Sequence, residues 1–138
     1  RIQGVASATY YDAQPELSPL CGICDRFGNV SKPAHAFRAF DALYSQGDEA
    51  FCDVQGSGVQ AVASIGYRSA AVMVAVSDAP GLLDIRMNNL PEDVYSADVY
   101  ILDGIKDLAL VQTLPLLGMS RQVCIATGKY SIILIKLY

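Results

Sequence analysis

GVASATYYD (residues 4–12), followed by GICDRFGNVSKPAHAFRAFDAL (residues 22–43), is the stretch that decides the fold. Residues 4–12 read as one strand of small and β-branched residues ending in Tyr10 and Tyr11. A nearly continuous apolar strand of this kind suits a parallel strand covered on both faces. Ala13 to Leu20 holds two prolines and reads as a loop. Cys21 to Asp25 is short and extended, and Phe27-Gly28-Asn29 is turn chemistry. A helix then runs from Ser31 or Pro33 to Ser45. Ser31 suits the N-cap, and Pro33 suits the first turn, where its missing N–H costs nothing. Ala36, Phe37, Phe40, Leu43 and Tyr44 recur at helical spacing and predict one apolar face, with Arg38 and Asp41 on the other side. Gly47 is the expected stop. One strand and one helix cannot bury themselves. They need either the later strands or another polypeptide. The chain also begins with Arg1, not Met, which points to processing or trimming upstream.

From Glu49 onward the pattern is strands separated by turns, at 49–54, 58–66, 69–77, 82–88, 95–102, 107–114, 121–126 and 130–137. Val72, Val74 and Val76 alternate with Met73, Ala75 and Ser77, which predicts one buried face and one wetter one. Eight short strands in about 90 residues make the pattern of an antiparallel sandwich. The last strand is apolar on both faces, through Ile132 and Leu134 on one and Ile133 and Ile135 on the other. It is expected to be central, or to lie beneath a partner. The fold class is therefore mostly β: an antiparallel β-sandwich preceded by one strand and one helix.

The chain has 138 residues, enough for one domain of ordinary size or for a fragment plus a small domain. Hydrophobic residues make up 52%, and mean hydropathy is +0.30. That apolarity fits a buried core plus a large partner interface, or a crowded β core alone. No apolar run reaches the ~18 residues of a membrane span. The net charge is −4, and no basic cluster supplies a nucleic-acid footprint. No signal peptide is visible at the N-terminus, so any leader lay upstream. Cys21-x-x-Cys24 invites a metal or redox reading. Cys52 and Cys124 are singletons and His35 is the one histidine, so a zinc set is not completed by close spacing. Free thiols or structural disulfides are the expectation, with connectivity left open, and neither metal nor cofactor is expected. Asn29-Val30-Ser31 is a glycosylation sequon on an exposed turn.

The stretch GICDRFGNVSKPAHAFRAFDAL resembles the last βα unit of a clan-A glycoside hydrolase, in which a KPA-x-AF segment opens the final barrel helix. The best match is family 39, of the β-xylosidase and α-L-iduronidase type. AAVMVAVSD, LLDIRMNNLPEDVYSADVYILDG and YSIILIKLY resemble strands of that family's sandwich. The resemblance implies a (β/α)₈ barrel completed by residues 1–47 and a supporting sandwich over residues 48–138. It implies a catalytic pair of glutamates upstream of Arg1, so that no catalytic residue lies in this chain. It further implies a partner, the N-terminal catalytic barrel segment or subunit, contacted by Val5, Ala6, Ala8, Phe37 and Phe40. A sugar substrate and a secreted or extracytoplasmic location follow from the same resemblance. Where the family has a tryptophan beneath the sugar, Tyr10-Tyr11-Asp12 stand here, and the chain has no tryptophan.

Glycoside hydrolysis needs two carboxyl groups ~5–5.5 Å apart for retention or ~6.5–9.5 Å for inversion. The three glutamates, Glu16, Glu49 and Glu92, stand in a loop, at a strand start and in a turn, which does not suggest such a pair. Tyr10, Tyr11, Asp12 and Gln14 are the candidates for substrate contact, because residues at the C-terminal ends of barrel strands face the active-site mouth. Alternation lets only one of the two tyrosines face it. His35 is expected to be a packing or surface residue, and Asp103 and Asp107 to bracket a solvated acidic loop. Two other readings stay open. A stand-alone carbohydrate-binding or structural sandwich would present Tyr67, Tyr95, Tyr100 or Tyr130 on one sheet face. A filament or coat subunit would use the apolar last strand.

Overall fold

The computed structural model describes residues 22–78, 81–116 and 121–138. Tyr10, Tyr11, Asp12 and Gln14, with the predicted opening strand, lie outside these described residues. The one helix among the described residues, α1, spans Lys32–Tyr44. It begins where Asp25 closes a turn: Asp25 Oδ1 accepts the backbone N–H of Phe27 (2.8 Å) and of Asn29 (2.9 Å), and Cys24 bridges Val30 antiparallel. Ser31 then stands at the N-cap with extended backbone, and Pro33 falls in the first turn. The Ser31 hydroxyl does not cap the helix. Its proton is shared between the carbonyls of Gly22 (2.6 Å) and Ile23 (2.8 Å), so it fastens the turn instead. The helix ends at Tyr44, and Gly47 follows with φ +112°, a conformation that costs glycine little.

Among the described residues eight strands follow: β1 Asp48–Ala50, β2 Val59–Ile65, β3 Ala70–Val76, β4 Gly81–Met87, β5 Ser96–Leu102, β6 Ala109–Pro115, β7 Arg121–Thr127 and β8 Ser131–Leu137. Each matches a predicted strand within a few residues. The first is shorter than expected, because residues 51–58 leave the ladder as a loop. The described pairs are all antiparallel. Six strands form one sheet in the order β1-β2-β3-β8-β5-β6, and β4 pairs with β7 in a second. The chain crosses to the small sheet after β3, returns at β5, crosses again at β7 and returns at β8. The last strand is thereby inserted between β3 and β5.

The main core lies between the sheets. Val72, Val74 and Val76 of β3, Val99 of β5 and Ile133, Ile135 and Leu137 of β8 meet Met87 of β4 and Val123 and Ile125 of β7. The opposite face of the large sheet carries α1, which packs on β3, β2, β5 and β8. Ala34, Ala39 and Leu43 are buried on the helix. Ala71, Leu102 and Leu134 are buried on that side of the sheet. Small residues on both surfaces let helix and sheet approach closely. Here the sequence expectation is corrected. The face with Phe37, Phe40 and Tyr44 is not the one buried: Phe40 is 51% exposed and Tyr44 80%. The buried stripe is Ala34, His35, Ala39 and Leu43. Spacing predicted one apolar face, but only its Leu43 is buried on the sheet, and Phe37, Phe40 and Tyr44 stay exposed. The alanine stripe is covered by the chain's own later strands, so this side of α1 needs no second polypeptide.

Ile135 is fully buried at the centre of the sheet. Ile135→Ala should lower unfolding stability by about 2–5 kcal/mol. Urea unfolding reads this directly, and a loss under about 1 kcal/mol would mean the site collapses or is not the centre of the core.

Candidate functional site on the helix side of the sheet

Polar chemistry collects around α1, at its start and along both flanks. At the start, the β5–β6 turn is held by Asp103, whose Oδ1 accepts the N–H of Ile105 (2.8 Å) and of Lys106 (2.7 Å). These bonds, that of Lys106 foremost, hold the Asp103 carboxyl below the usual carboxylate range. Lys32 Nζ reaches from the helix to Asp107 Oδ1 (2.5 Å) and to the Lys106 carbonyl (3.0 Å). Its hydrogen bond lowers the Asp107 pKa. Both side chains are about half exposed, so solvent screens the pair. It sets where the helix start sits more than it stabilises the fold. Among the described residues no group of three or more His, Cys, Asp or Glu could hold a metal ion. His35 is buried, as a packing residue would be, yet its Nδ1 has no hydrogen-bond partner.

Along one flank, Asp98 on β5 gathers a network from three strands. It accepts Thr113 Oγ1 (2.6 Å) from β6, the Tyr100 hydroxyl (3.4 Å) and the Tyr138 hydroxyl. Lys136 Nζ lies 5.3 Å from the Tyr100 ring centroid. The bonds from Thr113 and Tyr138 hold the Asp98 carboxyl low. In return Asp98 pushes the Tyr138 phenol up to about 12. Burial, then Asp98, raises the Tyr100 phenol.

The other flank is a cleft of about 150 Å³ between the C-terminal half of α1 and β1–β2. Phe40, Leu43 and Tyr44 form the helix wall, Val62 and Ser64 the strand wall, and Glu49 a rim. Ser64 is 6% exposed, and its Oγ has no hydrogen-bond partner. The end of the helix is fixed there by side chains: Ser69 donates to Gln46 Oε1. A Cβ on Gly66 would stand 3.0 Å from the Gln46 carbonyl oxygen, so this close approach favours glycine.

The sequence-predicted residues fare differently. Asn29 is exposed on its turn, and its Nδ2 donates to Asp25 Oδ2 (2.7 Å). Cys24, Cys52 and Cys124 are free thiols, while Cys21 lies outside the described residues. Burial first, and Glu49 second, push the Cys52 thiol up, which disfavours thiolate chemistry. Glu49 lies on edge strand β1 and Glu92 in the turn before β5, three strands intervening. At ~4.8 Å per strand that is on the order of 19 Å, too far for a hydrolytic pair. The tyrosines do not form a platform on one sheet face. Tyr67 (92% exposed) and Tyr130 (71% exposed) stand in turns at opposite ends of the sandwich, and Tyr100 lies under Lys136. The apolar last strand, which allowed a filament reading, is accounted for by its central position. Sequence reasoning missed Asp98 and Ser64. Asp98 meets Thr113 only through the β5–β6 register. The only signal for Ser64 was a hydroxyl on the otherwise apolar end of VQAVASI.

Two outcomes follow from these groups. Tyr138 should ionise near 12, and Asp98→Asn should return it toward the ordinary phenol value of about 10, read by ultraviolet absorbance against pH. A phenol raised in the folded state adds stability that is complete below about 10 and lost as pH rises to about 12. A wild-type phenol titrating near 10 would refute the network. Second, Ser64→Ala removes a buried, unpaired hydroxyl and should raise the stability of this chain by about 1 kcal/mol in urea unfolding. A loss of similar size would mean that the hydroxyl has a partner in solution.

No protein-family model and no curated protein matches this chain. Solved structures do. A glycoside hydrolase family 30 endoxylanase from Clostridium papyrosolvens matches with TM-score 0.69 and 15% identity, over 83% of this chain and 30% of its own. A family 30, subfamily 8 xylanase from Clostridium acetobutylicum matches with TM-score 0.69 and 12% identity, over 86% of this chain and 31% of its own. A glucosidase from Croceicoccus marinus matches with TM-score 0.70 and 13% identity, over 84% of this chain and 33% of its own. The chain thus spans about a third of the length of these hydrolases. At such identities the likeness is one of fold: a mostly antiparallel β-sandwich with one helix, shared with a part of each of these glycoside hydrolases.

Proposed function

We propose that this chain is the C-terminal segment of a glycoside hydrolase acting on a xylan- or glucoside-type saccharide. The observation that carries the reading is the recurrence of this helix-plus-sandwich as about a third of much longer hydrolases. The KPAHAF opening of α1 supports it independently, because in clan-A hydrolases that pattern begins the final barrel helix. Residues 1–47 then complete a (β/α)₈ barrel and residues 48–138 brace it. The catalytic carboxylates belong to the upstream segment. Tyr10 or Tyr11 stacks on a sugar ring, and Asp12 or Gln14 accepts from its hydroxyls. The exposed side of α1, with Phe40 and Tyr44, turns toward the barrel. A family 39-like specificity is the finer form of this reading. It rests on the sequence pattern alone, whereas the solved neighbours reported above include family 30 enzymes. The sequon at Asn29 and the hydrolase reading together favour a secreted protein.

The test is to read the coding sequence upstream of Arg1 and to express the extended chain. About 250 residues of strand–helix repeats should precede Arg1. The extended protein should release reducing sugar from xylan or an aryl β-glucoside, and residues 1–138 alone should release none. Hydrolysis by the 138-residue chain alone, or an upstream sequence without barrel repeats, would overturn the proposal.

A further inference from the structure

We propose that one end of the sandwich binds a xylan- or glucan-type oligosaccharide across four exposed tyrosines. The class of ligand rests on the preceding reading, and the surface rests on the fold alone. Ile65 pairs with Ala70, Ala70 with Leu137 and Leu137 with Ala97, so the β2–β3 turn, the end of β8 and the start of β5 lie side by side. Tyr67 stands in that turn, Tyr138 follows β8, and Tyr95 precedes β5. The N–H groups of Tyr95 (3.0 Å) and Ser96 (2.7 Å) both donate to the Tyr138 carbonyl, which fixes two of the tyrosines beside each other. Ser69 donates to Gln46 Oε1 and so brings the end of α1, with Tyr44, to the same place. All four tyrosines are about half exposed or more.

A saccharide has apolar C–H faces and hydroxyl edges. A tyrosine ring covers the first, and polar groups beside it meet the second. Those groups are present. Arg68, next to Tyr67, pairs with Asp93 (2.9 Å) in the loop that leads to Tyr95, and both side chains are well exposed. Guanidinium and carboxylate together offer donors and acceptors to sugar hydroxyls. The backbones that carry Tyr67 and Tyr95 are on the order of 10 Å apart at ~4.8 Å per strand. A short oligosaccharide covers that span and a single ring does not. Tyr138 is held ready, because its hydroxyl is bonded to Asp98. A protein partner fits less well. The centre of a protein interface is apolar, and among the described residues the turns and strand ends here present no exposed Leu, Ile, Val, Met or Phe.

The 138-residue protein tests this without any hydrolase activity. Amide shifts are followed by NMR while xylohexaose, cellohexaose or methyl β-D-xylopyranoside is added. At least one of the two oligosaccharides should move the amides of Tyr67, Arg68, Tyr95 and Tyr138, and should bind about tenfold or more tightly than the single-ring glycoside. Which of the two binds better assigns the surface to xylan or to glucan. Tyr67→Ala and Tyr95→Ala should each weaken binding about three- to tenfold, the loss of one ring contact. Tyr130→Asn, at the opposite end, should leave it unchanged. Both substituted tyrosines are exposed, so the alanine variants should unfold in urea as the wild type does. No shift at these amides with millimolar oligosaccharide would overturn the proposal. So would equal weakening by Tyr130→Asn, or the same amides shifting with protein concentration alone, which would make this end a self-association surface. If the extended chain hydrolyses xylan and neither oligosaccharide binds the tyrosine end, the site fails and the function stands. If binding is as expected and no barrel precedes Arg1, the function fails and the saccharide site stands.

Discussion

Strand β8 carries isoleucine or leucine on both faces, and such a strand is stable only where both faces are covered. The fold meets that constraint with one strand. Ile133, Ile135 and Leu137 face the small sheet, while the buried Leu134 belongs to the side that α1 covers. Because β8 pairs with β3 on one edge and β5 on the other, it joins a β1–β2–β3 half to a β5–β6 half. Without it the large sheet would be two pieces. The topology follows: the chain crosses to the second sheet twice, so that its final strand enters the middle of the first.

The same constraint explains why α1 lies as it does. A sheet whose centre is apolar on the outer side needs a cover with small side chains, so that the backbones approach. Ala34 and Ala39 provide it. The aromatics of the helix are then left outward, where they form one wall of a cleft and a surface suited to a larger neighbour. Both flanks of the helix stay polar or partly open, with the Asp98 network on one side and Ser64 on the other. The two unpaired buried atoms among the described residues, His35 Nδ1 and Ser64 Oγ, both belong to this layer. Among the described residues the inter-sheet core holds no unpaired buried side-chain nitrogen or oxygen.

The strands were legible because each is short, and Val, Ile and Leu alternate with other residues between Gly, Pro and Asp turns. The helix was legible for the same reason, through spacing and through Pro33 and Gly47. Its orientation was not legible. Period 3.6 shows that Phe37, Phe40 and Tyr44 share a side, but not that the alanine side meets a sheet. Asp98 looked like any other strand aspartate. Its role depends on register, with Thr113 opposite it and Tyr138 beside it on the same face.

The sequence by itself determined the number and kind of elements, the two-faced last strand and the composition of each face, because these depend on local spacing and side-chain chemistry. Only the tertiary structure decided which side of α1 is buried, which residues gather around Asp98, and that a deep hydroxyl is left unpaired in an aromatic cleft. Those depend on contacts between residues far apart in the chain. The choice among such contacts is made by backbone approach and strand register, which no local pattern encodes.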